Sequence, residues 1–175
     1  NYKEAILGIP KQFDYRPEII NKDRIRAFNK IIVFGMGGSR LGADILNMLQ
    51  PELDIYVHSD YDLPQLSKEV LTNSLIIANS YSGNTAEVIS GAQIAINRGF
   101  NLAIISTGGK LIDISTEHKI PYIVLPQSDL PPRLMLGHDL LALSVLVWLQ
   151  SDMFISCGQL VSNQFITLGQ DIASE

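Results

Sequence analysis

Ile31-Ile32-Val33-Phe34-Gly35-Met36-Gly37-Gly38-Ser39 is the stretch that decides the fold. Four apolar residues in a row, without alternation, describe a strand buried on both faces, as in a parallel sheet. The glycines that follow let the backbone turn sharply and come close to a ligand. Residues 39–50 then place Leu41, Ile45, Leu46 and Leu49 at helical spacing, and Pro51 marks the end. A helix that starts at such a turn offers free N–H groups and a positive dipole end, which suits an anion. Ser39 is the expected N-cap. The competing reading is a plain βα turn, and the glycines alone do not decide between the two.

Four more Ile/Val/Leu-rich runs follow, Ile55–His58, Ser74–Ala78, Asn101–Ser106 and Pro121–Leu125. Between them the spacing predicts a helix over Thr85–Arg98, stopped by Gly99, and shorter ones over Leu63–Leu71 and Leu111–His118. Strand–helix alternation of this kind gives βαβ units. The expected fold is α/β: a three-layer, open, doubly wound sheet of five parallel strands in the order 2-1-3-4-5. Residues 1–30 read as a helical arm, with pieces at Tyr2–Leu7 and Pro17–Phe28. Residues 31–126 form the βα core. Residues 131–175 read as C-terminal helices, Leu134–Gln150 being apolar nearly all round. Such a helix needs cover on most sides, and one sheet covers one side. A single domain over 1–175 is expected, cut from a longer protein or closed by a second copy of the chain. The predicted homodimer uses 134–150 or 157–175 as part of its interface.

Composition narrows the function classes. The chain has 175 residues, 46% hydrophobic and 18% charged, with a net charge of −5. No basic stripe is present, which argues against nucleic acid as a partner. The longest apolar run is too short to span a bilayer, so no membrane role is expected. The single cysteine, Cys157, allows no internal disulfide and fits a reducing, cytoplasmic compartment. His58, His118 and His138 lack metal-ligand spacing and read as structural. No metal and no cofactor are expected.

A second hydroxyl-rich loop, Ser80-Tyr81-Ser82-Gly83-Asn84-Thr85, follows the third strand. Hydroxyls and backbone N–H groups can cradle a phosphate without a lysine, each bond to a charged group contributing roughly 1.5–3 kcal/mol. Capping by Ser82 or Asn84 with Glu87 explains one hydroxyl and not three. In the order 2-1-3-4-5 the loops after strands 1 and 3 flank the topological switch point, where open α/β sheets bind ligands. A dinucleotide fingerprint is weakened by Arg40, which stands where its third glycine would be. A P-loop and a hydrolase elbow do not match. Arg133, after Pro131-Pro132, is a third candidate, with a surface arginine as the alternative.

At Gly35–Ser39, Ser80–Glu87 and Pro132-Arg133 the chain resembles the SIS (sugar isomerase) fold, which is flavodoxin-like. More narrowly it resembles the bifunctional phosphoglucose/phosphomannose isomerases. Asp60–Pro64 and Ile6–Pro10 are similar as well. The resemblance implies phosphate contacts from Ser80, Ser82 and Thr85, with Gly37, Gly38 and Ser39 lining the sugar. It implies that Arg133 is catalytic, near C1 and C2 of fructose 6-phosphate, glucose 6-phosphate or mannose 6-phosphate. The family interconverts aldose and ketose phosphates through a cis-enediol(ate), with a glutamate and a histidine supplied by a second SIS domain. The family usually has a small residue where Arg40 stands. The implied function is the N-terminal half of such an isomerase, inactive alone. A sugar-phosphate-sensing module without turnover is the alternative.

Overall fold

The computed structural model describes residues 2–147. Five strands, β1 (Lys30–Gly35), β2 (Ile55–His58), β3 (Ser74–Asn79), β4 (Asn101–Ser106) and β5 (Tyr122–Val124), form one parallel sheet in the order β2-β1-β3-β4-β5. The helices are α1 (Tyr2–Gly8), α2 (Gly38–Leu49), α3 (Lys68–Thr72), α4 (Ala86–Asn97), α5 (Gly109–His118) and α6 (Leu136–Leu146). The continuous apolar runs are explained by burial on both faces. Ile31, Val33, Leu75, Ile77 and Ile105 point to one core with Ala43 and Leu46 of α2 and the leucines of α6. Ile32, Phe34, Ile76, Ala78 and Ile104 point to the other, with Leu71, Val88, Ala92 and Leu111. The helices after β1 and β3 therefore lie on opposite faces, and the crevice between those strands is open at their C-terminal ends.

Several sequence expectations are corrected. Residues 17–28 are not a helix. Ile20 pairs with Tyr122 in an isolated antiparallel bridge, Asn21 is left-handed at φ 58°, and only Lys22–Arg24 makes a 3-10 turn. Pairing with β5 supplies backbone partners that a short helix would have had to find internally. After α1 the arm continues as a 3-10 stretch over Ile9–Asp14 with Pro10 in its first turn. Leu63–Leu71 is helical only from Lys68, where Ser67 caps by accepting the Val70 N–H.

α6 starts at Leu136 and carries no exposed residue among those described. Its cover comes from α2, from the sheet, and from the N-terminal arm, where Phe13 and Tyr15 pack on the same core. Within residues 136–147 there is thus no bare apolar face of the kind that prompted the dimer expectation. The alternative interface, 157–175, and the end of the predicted helix lie outside the described residues. Among the described residues no helix is long and apolar enough to cross a membrane.

Candidate sugar-phosphate crevice

The first loop leaves β1 at Gly35 and turns at Gly37, whose φ of 53° and ψ of −119° suit glycine. Gly37, not Ser39, is the N-cap of α2, and it offers no side-chain cap. Ser39 is buried inside the first turn. Its Oγ accepts the Tyr81 N–H at 3.1 Å, which ties the first loop to the second. Gly38 faces the Pro132–Arg133 backbone so closely that a Cβ would lie 2.5 Å from the Arg133 nitrogen. The absence of a side chain at Gly38 thus brings the Pro-Arg turn against the start of α2.

The second loop is built differently from a capping motif. Thr85 is the N-cap of α4, yet its side chain makes no cap bond. Its hydroxyl pairs instead with Ser80 Oγ at 2.7 Å. The first-turn N–H groups of α4 are left without a side-chain acceptor, as an anion site requires. Ser82 stands exposed at the tip, and its Oγ accepts the Asn84 N–H at 3.3 Å. The loop rests on residues 106–109. Thr107 donates its N–H and hydroxyl to the Tyr81 carbonyl, at 3.1 and 2.7 Å, and the Leu111 N–H donates to the Gly83 carbonyl. Gly83, at φ 67°, passes against the Gly108 carbonyl with no room for a Cβ. Beside it, Tyr81, Thr107, Gln127, Ser128 and Asp129 line a cleft. The Tyr81 hydroxyl donates to the Pro126 and Ser128 carbonyls at 3.3 Å, and burial raises its pKa.

Arg133 lies in the 3-10 turn Pro132–Leu134 and is exposed. That turn is anchored by Gln12, a residue the sequence did not single out. Its Nε2 donates to the Leu134 carbonyl at 2.5 Å, and its Oε1 accepts the Gly137 N–H at 2.8 Å. Arg40 is turned along α2. It forms an ion pair with Asp44 at 2.9 Å and donates to Ser59 Oγ at 3.3 Å, while Ser59 donates to the Gly35 carbonyl. Asp44 therefore balances the charge that Arg40 brings near the loop. The histidines pack rather than converge: His58 lies edge-on to Phe34 and His138 edge-on to Tyr15.

Sequence reasoning also missed Asn79 and Asp139. Asn79 ends β3 fully buried, and Asp139 is a buried carboxyl in an apolar helix. Asn79 Nδ2 donates to the Ser39 carbonyl at 2.9 Å and to Asp139 Oδ1 at 2.6 Å. The signal was present as one acid among the leucines of 134–150. A wider groove lined by Arg24, Arg26, His118 and Lys119 lies at the other end of the sheet, where α4 and α5 finish. There Arg26 donates to the Gly99 carbonyl at 2.8 Å, so its charge serves a helix C-terminus.

Comparison with known proteins agrees with this geometry. No protein-family model matches the chain. A bifunctional phosphoglucose/phosphomannose isomerase of Caldicellulosiruptor bescii is 32% identical over 150 residues. The match covers 82% of this chain and 43% of that protein, so the chain spans less than half the length of this curated relative. Among solved structures, a putative phosphosugar isomerase from Clostridium difficile 630 aligns with a TM-score of 0.60 at 14% identity, over 93% of this chain and 51% of its own. The sugar isomerase domain of an RpiR transcription factor from Sphaerobacter thermophilus aligns at 0.52 and 12%, over 93% of this chain and 96% of its own. The sheet order, the two loops at its switch point and these relatives place the chain in the SIS phosphosugar-isomerase family, with its sequence similarity lying toward the phosphoglucose/phosphomannose isomerases.

Proposed function

We propose that the chain binds a hexose 6-phosphate in the crevice between the β1 and β3 loops. It would do so as the N-terminal half of a cytoplasmic glucose 6-phosphate/mannose 6-phosphate aldose–ketose isomerase of carbohydrate metabolism, in a homodimer. The observation that carries the reading is the second loop. Ser80, Ser82 and Thr85 gather three hydroxyls at a helix start whose N–H groups have no side-chain cap. In this reading the phosphate sits on that loop and the sugar extends over Gly37, Gly38 and Ser39 toward Arg133. The guanidinium stabilises the negative charge that develops on the enediolate oxygens. The proton transfers between C2 and C1, and ring opening, fall to a glutamate and a histidine from a second SIS domain.

Titration calorimetry tests the phosphate assignment. Ser82→Ala is expected to weaken fructose 6-phosphate binding by roughly 1–3 kcal/mol. Free fructose should bind poorly to both proteins. Equal affinity for the phosphorylated and free sugar would refute the assignment.

The likeness to the sugar isomerase domain of a transcription factor favours a second reading, a sensor that binds sugar phosphate without turnover. Both readings expect no isomerase activity from the 175-residue chain in a coupled assay. They separate in an assay of a chain that carries a second SIS domain: turnover there selects the isomerase. Turnover by the short chain itself would reveal a base that the crevice does not show. Light scattering on the same samples reads the dimer.

A further inference from the structure

We propose that Asp139 is a positioning residue for the crevice, acting through Asn79 to fix the Ser39 turn and, through the Ser39 hydroxyl, the Tyr81 amide at the base of the phosphate loop. The proposal rests on the sugar-phosphate reading for its effect on ligand affinity. Its geometry stands apart from that reading. Asn79 is paired in register with Gly35, the residue at which β1 opens into the first loop. Its amide reaches from there to the Ser39 carbonyl and to Asp139 Oδ1. Ser39 in turn receives the Tyr81 N–H. Four residues from β3, α2, α6 and the second loop are thus joined by three hydrogen bonds, and three of them, Asn79, Ser39 and Asp139, are buried.

The network is oriented rather than merely satisfied. An amide can present either its oxygen or its nitrogen to Ser39, and only the nitrogen suits a carbonyl acceptor. Asp139 Oδ1 is a second acceptor on that nitrogen, so it reinforces the orientation that the Ser39 carbonyl sets and pins the amide in place. Asn79 Oδ1 is buried without a hydrogen-bond partner, and the second Asp139 oxygen has at best a poorly aligned donor in the Gly42 N–H. Buried polar atoms of this kind are costly. Gly42 is needed as well, because a Cβ there would collide with Asp139 Oδ2. Gly38, Ser39, Tyr81 and Asp139 are among the residues that line one small void. Asp139 and the candidate sugar-lining residues Gly38 and Ser39 thus border the same void.

The test compares Asp139→Ala, Asp139→Asn, Asn79→Ala and the double alanine variant. It uses fructose 6-phosphate calorimetry and the backbone amide resonances of Ser39 and Tyr81. Asp139→Ala and Asn79→Ala are each expected to weaken binding about tenfold or more, as loss of a buried partner does. The double variant should be no weaker than Asn79→Ala, because residues acting in series are non-additive. Asp139→Asn keeps an acceptor and the shape, and should restore affinity to within about threefold. The Tyr81 amide resonance should move in both alanine variants and stay in place in Asp139→Asn. Additive losses overturn the proposal, as does an Asp139→Ala protein with an unmoved Tyr81 resonance. So does an Asp139→Asn protein that loses as much as Asp139→Ala. If Asp139→Ala does not fold, Asp139→Leu replaces it, filling the volume without an acceptor. If the unaltered protein binds no hexose phosphate, the functional reading fails, and the resonances still decide the proposal.

Discussion

Gly83→Ala is expected to destabilise the domain by about 3 kcal/mol or more, and to abolish ligand binding at temperatures where the unaltered protein is folded. Two costs coincide at this position. The backbone is left-handed, at φ 67°, which a Cβ disfavours. The Cβ would also run into the Gly108 carbonyl and lie 2.6 Å from Ser106 Oγ. The first obstacle is backbone and cannot swing aside, and the second, the Ser106 hydroxyl, is buried and hydrogen-bonded to that same carbonyl. The carbonyl belongs to a turn fixed by Thr107 and Leu111, whose N–H groups donate to Tyr81 and Gly83. Relief requires the two loops to part, which breaks those bonds and withdraws the platform under Ser80 and Thr85. Urea unfolding followed by circular dichroism measures the loss. A decrease below about 1 kcal/mol would show that the 106–109 turn yields readily, and that the second loop is not held by it.

Asp139→Asn is expected to change the pH dependence of stability by a large amount. Burial pushes the Asp139 carboxyl up to about 7 from its usual 3.8, partly offset by the hydrogen bond from Asn79. The folded state therefore holds a proton that the unfolded chain has already released between about pH 4 and pH 7. Stability falls with rising pH wherever the folded state binds more protons. The carboxyl costs nothing below its unfolded value. The penalty grows through the window and is complete above about pH 7. The shift corresponds to roughly 4 kcal/mol at most. Asparagine mimics the neutral acid and carries no such penalty. The difference in unfolding free energy between the two proteins should thus grow in favour of Asp139→Asn from pH 4.5 to pH 8. The Arg40–Asp44 pair and His138 remain in both proteins, so the comparison removes their contributions. A difference that is flat with pH would show that Asp139 is ionised in the fold at all these values.

The two candidate loops are legible in the sequence because their features are local. Ser80, Ser82 and Thr85 fall within six residues, which is why the sequence marks the loop as a candidate, while the Ser80–Thr85 hydroxyl pair at 2.7 Å is visible only in the structure. The order of the strands followed from the same kind of signal. A run such as Ile31–Phe34 needs apolar neighbours on both faces, and five such runs separated by helices leave few arrangements. The misreadings have one physical cause. Residues 17–28 carry helix-compatible residues, but Ile20 finds its backbone partner in Tyr122, and tertiary pairing overrides weak propensity. Over residues 136–147 the face expected to be uncovered is met by the N-terminal arm. Its 3-10 stretch over Ile9–Asp14 lies against α6.

The parallel five-stranded sheet, the switch point between β1 and β3 and the two loops that face it are all written in the order of residues. Those follow from burial periodicity and from glycine and hydroxyl chemistry within short windows. Only the tertiary structure decided how the loops are held. Gln12 reaches Gly137 across 125 positions, and Asn79 reaches Ser39 and Asp139 across 40 and 60. A polar side chain in a sequence carries no sign of which distant carbonyl or carboxyl it will meet. That choice is made when the helices close over the sheet and each buried amide must find a partner.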